Sequence, residues 1–350
     1  MGGIHVNDRA VSVLENYDID VLRTWKGRGA ILCDSNKGLL ILKEYVGPKD
    51  KIFFQDALLN SIKKQGFYMV ESILKSKDGE LVVYDQDKMP YILKTYFDGR
   101  ECNIRDTKEC IQAVKTLACL HNASDMPGFQ GSYDDIGFKI DKEYEKHNKE
   151  LRKVRKFLRE KSQKTNFEIF LLKHYDYFFD LALQVTEEVR FYLRETPSAH
   201  GKKSCIVCHG DYQYHNILVL NGSAAAQTNN TFAVINFEKC VRDNPVRDLY
   251  LFMRKLLEKS NWSEELGMTL LEAYSSERAM SAEDYIQLYY RLIYPEKFWK
   301  IVNFYYNSGK AWIPGRNLEK LEKLLEQEQD KVKFLENYKS TYGRFSFEIY

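Results

Sequence analysis

Nowhere in its 350 residues does this chain offer a run of about 18 apolar residues, so the sequence predicts no membrane-spanning helix. The opening stretch MGGIHVNDRA lacks the charged-then-apolar layout of a signal peptide, and the expectation is a cytosolic chain with no membrane partner. An excess of one charge is missing too. The 52 basic and 50 acidic residues leave a formal net charge of +2, which provides no global field to collect nucleic acid or an anionic membrane. No internal repeat is visible. Cysteine is sparse, odd in number and scattered, at positions 33, 102, 110, 119, 205, 208 and 240, which suits free thiols in a reducing compartment rather than a disulfide framework. What remains is the balance of a folded protein, 44% hydrophobic and 29% charged, long enough to bury a large core in two lobes or domains.

The first hundred residues alternate apolar and polar positions between turn signals, as a small antiparallel sheet does. Strands are predicted over 20–27, 29–34 and 37–46, then a helix over 50–66 ending at Gly66, then strands over 68–76, 79–86 and 89–97, with Asp78-Gly79 as a hairpin turn. The N-terminal unit therefore reads as a sheet with one helix inserted after the third strand. From Asp98 the periodicity becomes helical, over 107–124, 141–162 and 166–193. The basic helix at 141–162 is read as a solvated face of Glu and Lys pairs rather than a nucleic-acid site. Strand-like segments at 204–210 and 217–237 flank a polar loop before helices resume.

That loop, CIVCHGDYQYHN at 205–216, supports two readings. Cys205, Cys208 and His209 form C-x-x-C-H, a haem-attachment signature that a cytosolic chain argues against. His209, Asp211 and Asn216 have the H-x-D-x-x-x-x-N spacing of a phosphotransferase catalytic loop, which positions an acceptor beside a metal-bound phosphate. An apolar strand, a loop and a second strand, FAVINFE, follow in the order that would return a further metal ligand to the same place.

HGDYQYHNILV followed by VINFE resembles the aminoglycoside phosphotransferase and choline kinase superfamily. NFEIFL, VRDLYLFMRKLLEK and YPEKFWKIVNFYYNSGKAW resemble spore coat proteins of the CotS family across nearly the whole chain. The resemblance implies an α+β, protein-kinase-like bilobal fold, with a nucleotide-binding lobe at 1–97 and a helical lobe with the acceptor pocket at 98–350. It implies ATP and Mg²⁺ as cofactors, a small-molecule or protein acceptor, other spore coat proteins as partners, and a place in the spore coat. On residues, it puts Asp211 in the place of the catalytic base, where the plain alternative is a turn aspartate capping a helix. His209 and Asp248 match residues that support the loop. Asn216, Asn236 and Glu238 match metal ligands, although Asn216 also reads as an ordinary turn asparagine. Lys43 matches the phosphate-binding lysine of the third strand, or else an outward edge charge. Gly27 and Gly29 match a short phosphate-facing turn, and the backbone of Thr95 and Phe97 matches adenine contacts.

Two positions depart from the superfamily pattern. Its metal-binding segment usually opens on Asp, whereas this chain has Asn236-Phe237-Glu238, and a neutral amide is a weaker Mg²⁺ ligand than a carboxylate. The helix after Lys43 offers only Gln55 and Asp56 where kinases often place a glutamate. Two readings stay open: an ATP-dependent phosphotransferase acting on a hydroxyl or amine, and a catalytically impaired, kinase-shaped structural component of the coat.

Overall fold

Six short β-branched and leucine-rich segments of the N-terminal region pair into one antiparallel sheet. The computed structural model describes residues 8–27, 29–126, 139–196, 206–221, 231–307 and 314–343. Strands β1 (Val21–Gly27), β2 (Ala30–Ser35) and β3 (Gly38–Glu44) form a meander, and β6 (Pro90–Thr95) joins its edge. Helix α2 (Lys49–Lys64) follows β3, as the periodicity predicts. Strands β4 (Ile73–Leu74) and β5 (Val83–Tyr84) do not pair with each other: both pair with β6. The turn at Asp78-Gly79 is present, closed by Gly79 N–H to Ser76 C=O at 2.9 Å, but it is not the tip of a two-stranded hairpin. The segments around it are too polar to share one apolar face over their whole length.

A helix that the alternation pattern does not predict precedes the sheet. Helix α1 (Asp8–Ser12) runs into a 3₁₀ turn (Val13–Asn16), and Ala10, Val13, Leu14 and Tyr17 pack onto Cys33, Leu40, Leu42 and Leu93. Nine residues give too few turns for helical periodicity to stand out.

The described residues fall into two compact units, and the division is not at residue 97. The first takes in residues from 1–136, 205–252 and 273–278. Beside the N-terminal sheet lies a separate three-stranded sheet, in which β9 (Ile217–Leu220) pairs with both β7 (Gly99–Glu101) and β10 (Phe232–Val234), and an isolated bridge joins Val70 to Val234. Backbone hydrogen bonds thus tie the polar loop to the N-terminal unit. Strand β8 (Val207–Cys208) enters the loop and pairs with β11 (Val241–Arg242). Helix α3 (Thr107–Ala123), capped by Asp106, lies in the same unit.

The second unit draws on 137–204, 253–272 and 279–350. Its helices are α4 (Ile140–Glu160), α5 (Asn166–Glu195), α8 (Ala282–Ile293), α9 (Glu296–Asn307), α10 (Pro314–Glu326) and α11 (Glu328–Tyr342), with parts of α6 (Val246–Lys259) and α7 (Glu264–Glu277). The basic helix α4 buries Tyr144, Asn148, Leu151, Val154 and Leu158 at helical spacing, while several of its charges pair at the surface. Thr165 and Glu168 form a capping box that starts α5, and Lys161 neutralises the buried Glu168 at 2.8 Å. Phe178 stacks on Phe298, with centroids 4.7 Å apart, at the centre of the α4, α5 and α9 core. No helix among the described residues is long and apolar enough to cross a membrane. Eleven of the twelve largest fully buried side chains are Tyr or Phe, so much of the aromatic content is core. The twelfth is Lys94, and it leads to the site.

Candidate functional site

Antiparallel register places Lys94 opposite Ile41, two residues from Lys43, so the two lysines share one face of the sheet. Both reach the same carboxylate. Glu238 Oε1 lies 3.0 Å from Lys43 Nζ and 2.9 Å from Lys94 Nζ. Lys94, wholly buried, also pairs with the buried Glu71 at 2.9 Å and lies 3.5 Å from Asn236 Oδ1. Glu71 in turn accepts the Phe237 N–H at 3.1 Å. Burial opposes charge on Lys94, but Glu71 and Glu238 outweigh it and raise its pKa. Burial likewise pushes Glu238 up, and the ammonium groups of Lys94 and Lys43 hold it well below the usual carboxylate range.

Asn236 sits in the left-handed region at φ 67°, just before a 3₁₀ turn (Phe237–Lys239). Its amide has one workable orientation, with NH₂ donating to Asn216 Oδ1 at 2.9 Å and oxygen toward the Lys94 ammonium. Flipping it would set oxygen against oxygen and NH₂ against ammonium. Asn216 is fixed by donating its own NH₂ to the Asp211 carbonyl at 2.9 Å. Asp211 is one-fifth exposed at its side chain, and both its carboxylate oxygens are engaged, one by Lys239 Nζ at 2.9 Å and one by Gln213 at 3.0 Å.

Beneath the loop lies a fully buried relay. Asp248 Oδ2 accepts the His209 N–H at 2.6 Å, and Oδ1 accepts the Gly210 N–H at 2.9 Å. His209 Nδ1 accepts the Asp211 N–H at 3.1 Å, which leaves Nε2–H to donate to the Ile235 carbonyl at 2.9 Å. The imidazole thereby fastens the loop to the strand that delivers Asn236. His121 lies 3.2 Å from Asp248 through Nε2 and 2.8 Å from the Tyr274 hydroxyl through Nδ1. A carboxylate only accepts, so Nε2 carries the proton and Nδ1 accepts from Tyr274, a neutral tautomer. Burial lowers the His121 pKa against the pull of Asp248. Burial pushes the Asp248 carboxyl up, but the hydrogen bond from His121 and the Gly210 N–H hold it down.

A histidine whose folded pKa is depressed contributes stability above its unfolded value of about 6.5 and loses it as pH falls. His147, buried in the second unit, is depressed too, by burial against nearby Glu296. Stability is therefore expected to drop between pH 7 and 5, by up to about 1.4 kcal/mol per pH unit for each histidine while it titrates. Urea unfolding at pH 7, 6 and 5 checks this. A His121→Gln variant, which can still donate to Asp248, should show the shallower acid limb.

The structure thus draws Lys43, Asp211, Asn216, Asn236 and Glu238 into one linked set, with His209 and Asp248 under it. The remaining candidates stand apart in what they offer. Gly27 faces Ala30 at the end of the β1–β2 ladder, and Gly29 precedes Ala30 at φ 66°. Thr95 donates its N–H to the Ser72 carbonyl at 2.9 Å and its hydroxyl oxygen accepts the Ser72 N–H at 2.8 Å, so its N–H is not available to a base. Phe97 and Tyr96 pack on an apolar cluster of Met69, Leu218 and Ile235. Neither Gln55 nor Asp56 is seen to bond Lys43. The Gln55 amide is fully buried with no hydrogen-bond partner among the described residues, and Asp56 interacts with Lys75, Asn60 and Lys63. Glu71 and Lys94 were missed by sequence reasoning, although each is a charge inside an apolar strand-like run, a pattern that often marks a buried pair. As for haem, Cys205 lies outside the described residues, Cys208 is buried with Sγ near the Asp243 and Asn244 carbonyls, and His209 spends both ring nitrogens on the loop.

A divalent ion does not fit this donor set. One amide oxygen already faces an ammonium, the other accepts an amide N–H, and Glu238 is shared by two lysines. Mg²⁺ prefers hard anionic oxygens. At about 4 Å from a fixed ammonium, a doubly charged ion would meet a repulsion of about 8 kcal/mol at an effective dielectric of 20.

Residues 11–338 match the model of a family described as "Spore coat putative kinase YutH". The fold is similar to that of an aminoglycoside phosphotransferase from Alicyclobacillus acidocaldarius, at 19% identity over 98% of each chain, with a TM-score of 0.77. Spectinomycin phosphotransferase APH(9)-Ia, solved with AMP, is 14% identical over 97% of this chain and 99% of that one, with a TM-score of 0.61. A microcompartment-associated aminopropanol kinase is 14% identical over 96% and 99%, with a TM-score of 0.56. At such identities the likeness establishes the fold, a small antiparallel N-terminal sheet with a mainly helical remainder, as in the aminoglycoside phosphotransferase and choline kinase superfamily. The chain belongs to the CotS-like spore coat family of kinase-related proteins that this model describes.

Proposed function

We propose that this protein is a kinase-fold component of the spore coat whose phosphotransfer site is closed by its own ion pairs. One observation carries the reading: the buried Lys94 ammonium gathers Glu71 together with Glu238 and the Asn236 oxygen, two of the three candidate metal ligands. A fixed cation in that place holds the Asn236 segment together without an ion, and it leaves no carboxylate free to bind one. Nucleotide entry remains compatible with the site, because Lys43 is one-third exposed and an apolar cluster lies under Phe97. The neighbour solved with AMP supports a nucleotide as the ligand class.

The second reading is a phosphotransferase for a small-molecule or coat-protein hydroxyl or amine. It is favoured by the spacing of the loop and by the partial exposure of Asp211. Incubation of the full chain with γ-labelled ATP, Mg²⁺ and either spore extract or amino alcohols separates the two. The closed-site reading expects no transfer above that of an Asp211→Asn variant. Transfer that Asp211→Asn reduces by 100-fold or more would establish the enzyme instead.

A further inference from the structure

Helices α6, α9 and α10 of the second unit line an open cavity of about 160 Å³ in which five of the side chains are lysines. Lys255 and Lys259 come from α6, Lys297 from α9, and Lys320 and Lys323 from α10. The one carboxylate in the lining is Glu258, and it is already spent. It accepts Lys297 at 3.0 Å and pairs through its other oxygen with Arg254. In a chain whose total charge is only +2, so dense a cluster of one sign is a local decision. It is also strained electrostatically. Burial lowers the Lys255 pKa, and Lys297, Arg254 and Lys259 lower it further against the pull of Glu258. Burial together with Arg316 and Lys297 lowers that of Lys320.

We propose that this cavity is a binding site for a compact multivalent anion of the diphosphate class. The size argues for a small ligand, since the space is about half the lower bound of roughly 300 Å³ for pockets that take drug-sized molecules. The donors argue for phosphate: ammonium groups on flexible stems act as point charges, without the fixed fork that selects planar carboxylate pairs. The lining beyond the charges is Leu324 and Gln327, with no aromatic face on which a base could stack. Gln327 is itself committed, donating to the Glu258 carbonyl at 2.9 Å, so it shapes the floor rather than reading the ligand.

Calorimetric titration of the full chain with pyrophosphate tests the site, with sulfate at equal ionic strength as the control anion. Pyrophosphate is expected to bind at least tenfold more tightly than sulfate. A Lys255→Gln/Lys320→Gln double variant should weaken pyrophosphate at least tenfold, whereas Lys156→Gln, at an exposed position of α4, should change it less than twofold. The same double variant should unfold at a higher temperature than the parent in low salt without ligand, because it relieves repulsion. Equal binding of sulfate, unchanged pyrophosphate affinity in the double variant, or a lowered melting temperature of that variant would each overturn the assignment. Protection of Lys255 and Lys320 from amine acylation by pyrophosphate in the parent protein provides a reading that needs no variant, and lack of protection there would count equally against it.

Discussion

Replacing Lys94 by methionine is expected to cost about 3–5 kcal/mol of folding stability, the range seen when one member of a buried ion pair is removed. The length and volume of methionine are close to those of the lysine stem, so packing changes little. What changes is charge. Glu71 is fully buried and Glu238 about one-quarter exposed, and without the ammonium only Lys43 is left to offset them. One of the two is then expected to take a proton, so the loss caused by the substitution should be smaller at pH 5 than at pH 8. Adding Glu71→Gln to Lys94→Met should recover part of the loss, and a double-mutant cycle should give a coupling of a few kcal/mol. Urea unfolding of the four proteins measures it. A Lys94→Met protein as stable as the parent would mean that the cluster does not hold the segment.

Gly210→Ala is expected to destabilise by about 2–5 kcal/mol, combining left-handed backbone strain with overpacking. Gly210 has φ 78°, and a Cβ built there would run into the Lys239 carbonyl oxygen. Relief requires moving either the loop, which Asp248 holds through two backbone N–H groups, or the turn that carries Lys239 and Glu238. Gly79→Ala is the control. Its φ is 85°, yet nothing lies within 4 Å of the added carbon, so only the strain, about 1–2 kcal/mol, should appear. Thermal or urea unfolding of both variants separates the clash from the strain. Equal losses would show that the approach of Lys239 is not tight.

The parts of this site that could be read from the sequence are those whose chemistry is local. His209, Asp211 and Asn216 sit within eight residues, and the strand that follows them is announced by its apolar run, so spacing alone brings them together. The strands and helices of the first hundred residues were legible for the same reason, apart from α1, which is too short to show a period, and β4 and β5, whose choice of β6 as partner is a tertiary matter. Lys94 and Glu71 could not be joined by inspection. They belong to different segments, and their relation to Glu238 depends on the register that sets Ile41 opposite Lys94. Sequence reasoning looked for the partner of Lys43 on α2, whereas the structure supplies it from Glu238. The compact units cross residue 97 because β7 and β9 pair across it, and pairing between distant strands leaves no mark on composition.

In the closed-site reading, the Lys94 ammonium excludes a divalent ion from the set formed by Asn216, Asn236 and Glu238. Anomalous diffraction from crystals grown with Mn²⁺ and ATP tests it most directly. No manganese peak is expected within coordination distance of Asn236 or Glu238, with Lys94 Nζ still hydrogen-bonded to Glu238. A peak at roughly 2.1 Å from Glu238 and an asparagine oxygen, with Lys94 displaced, would contradict it.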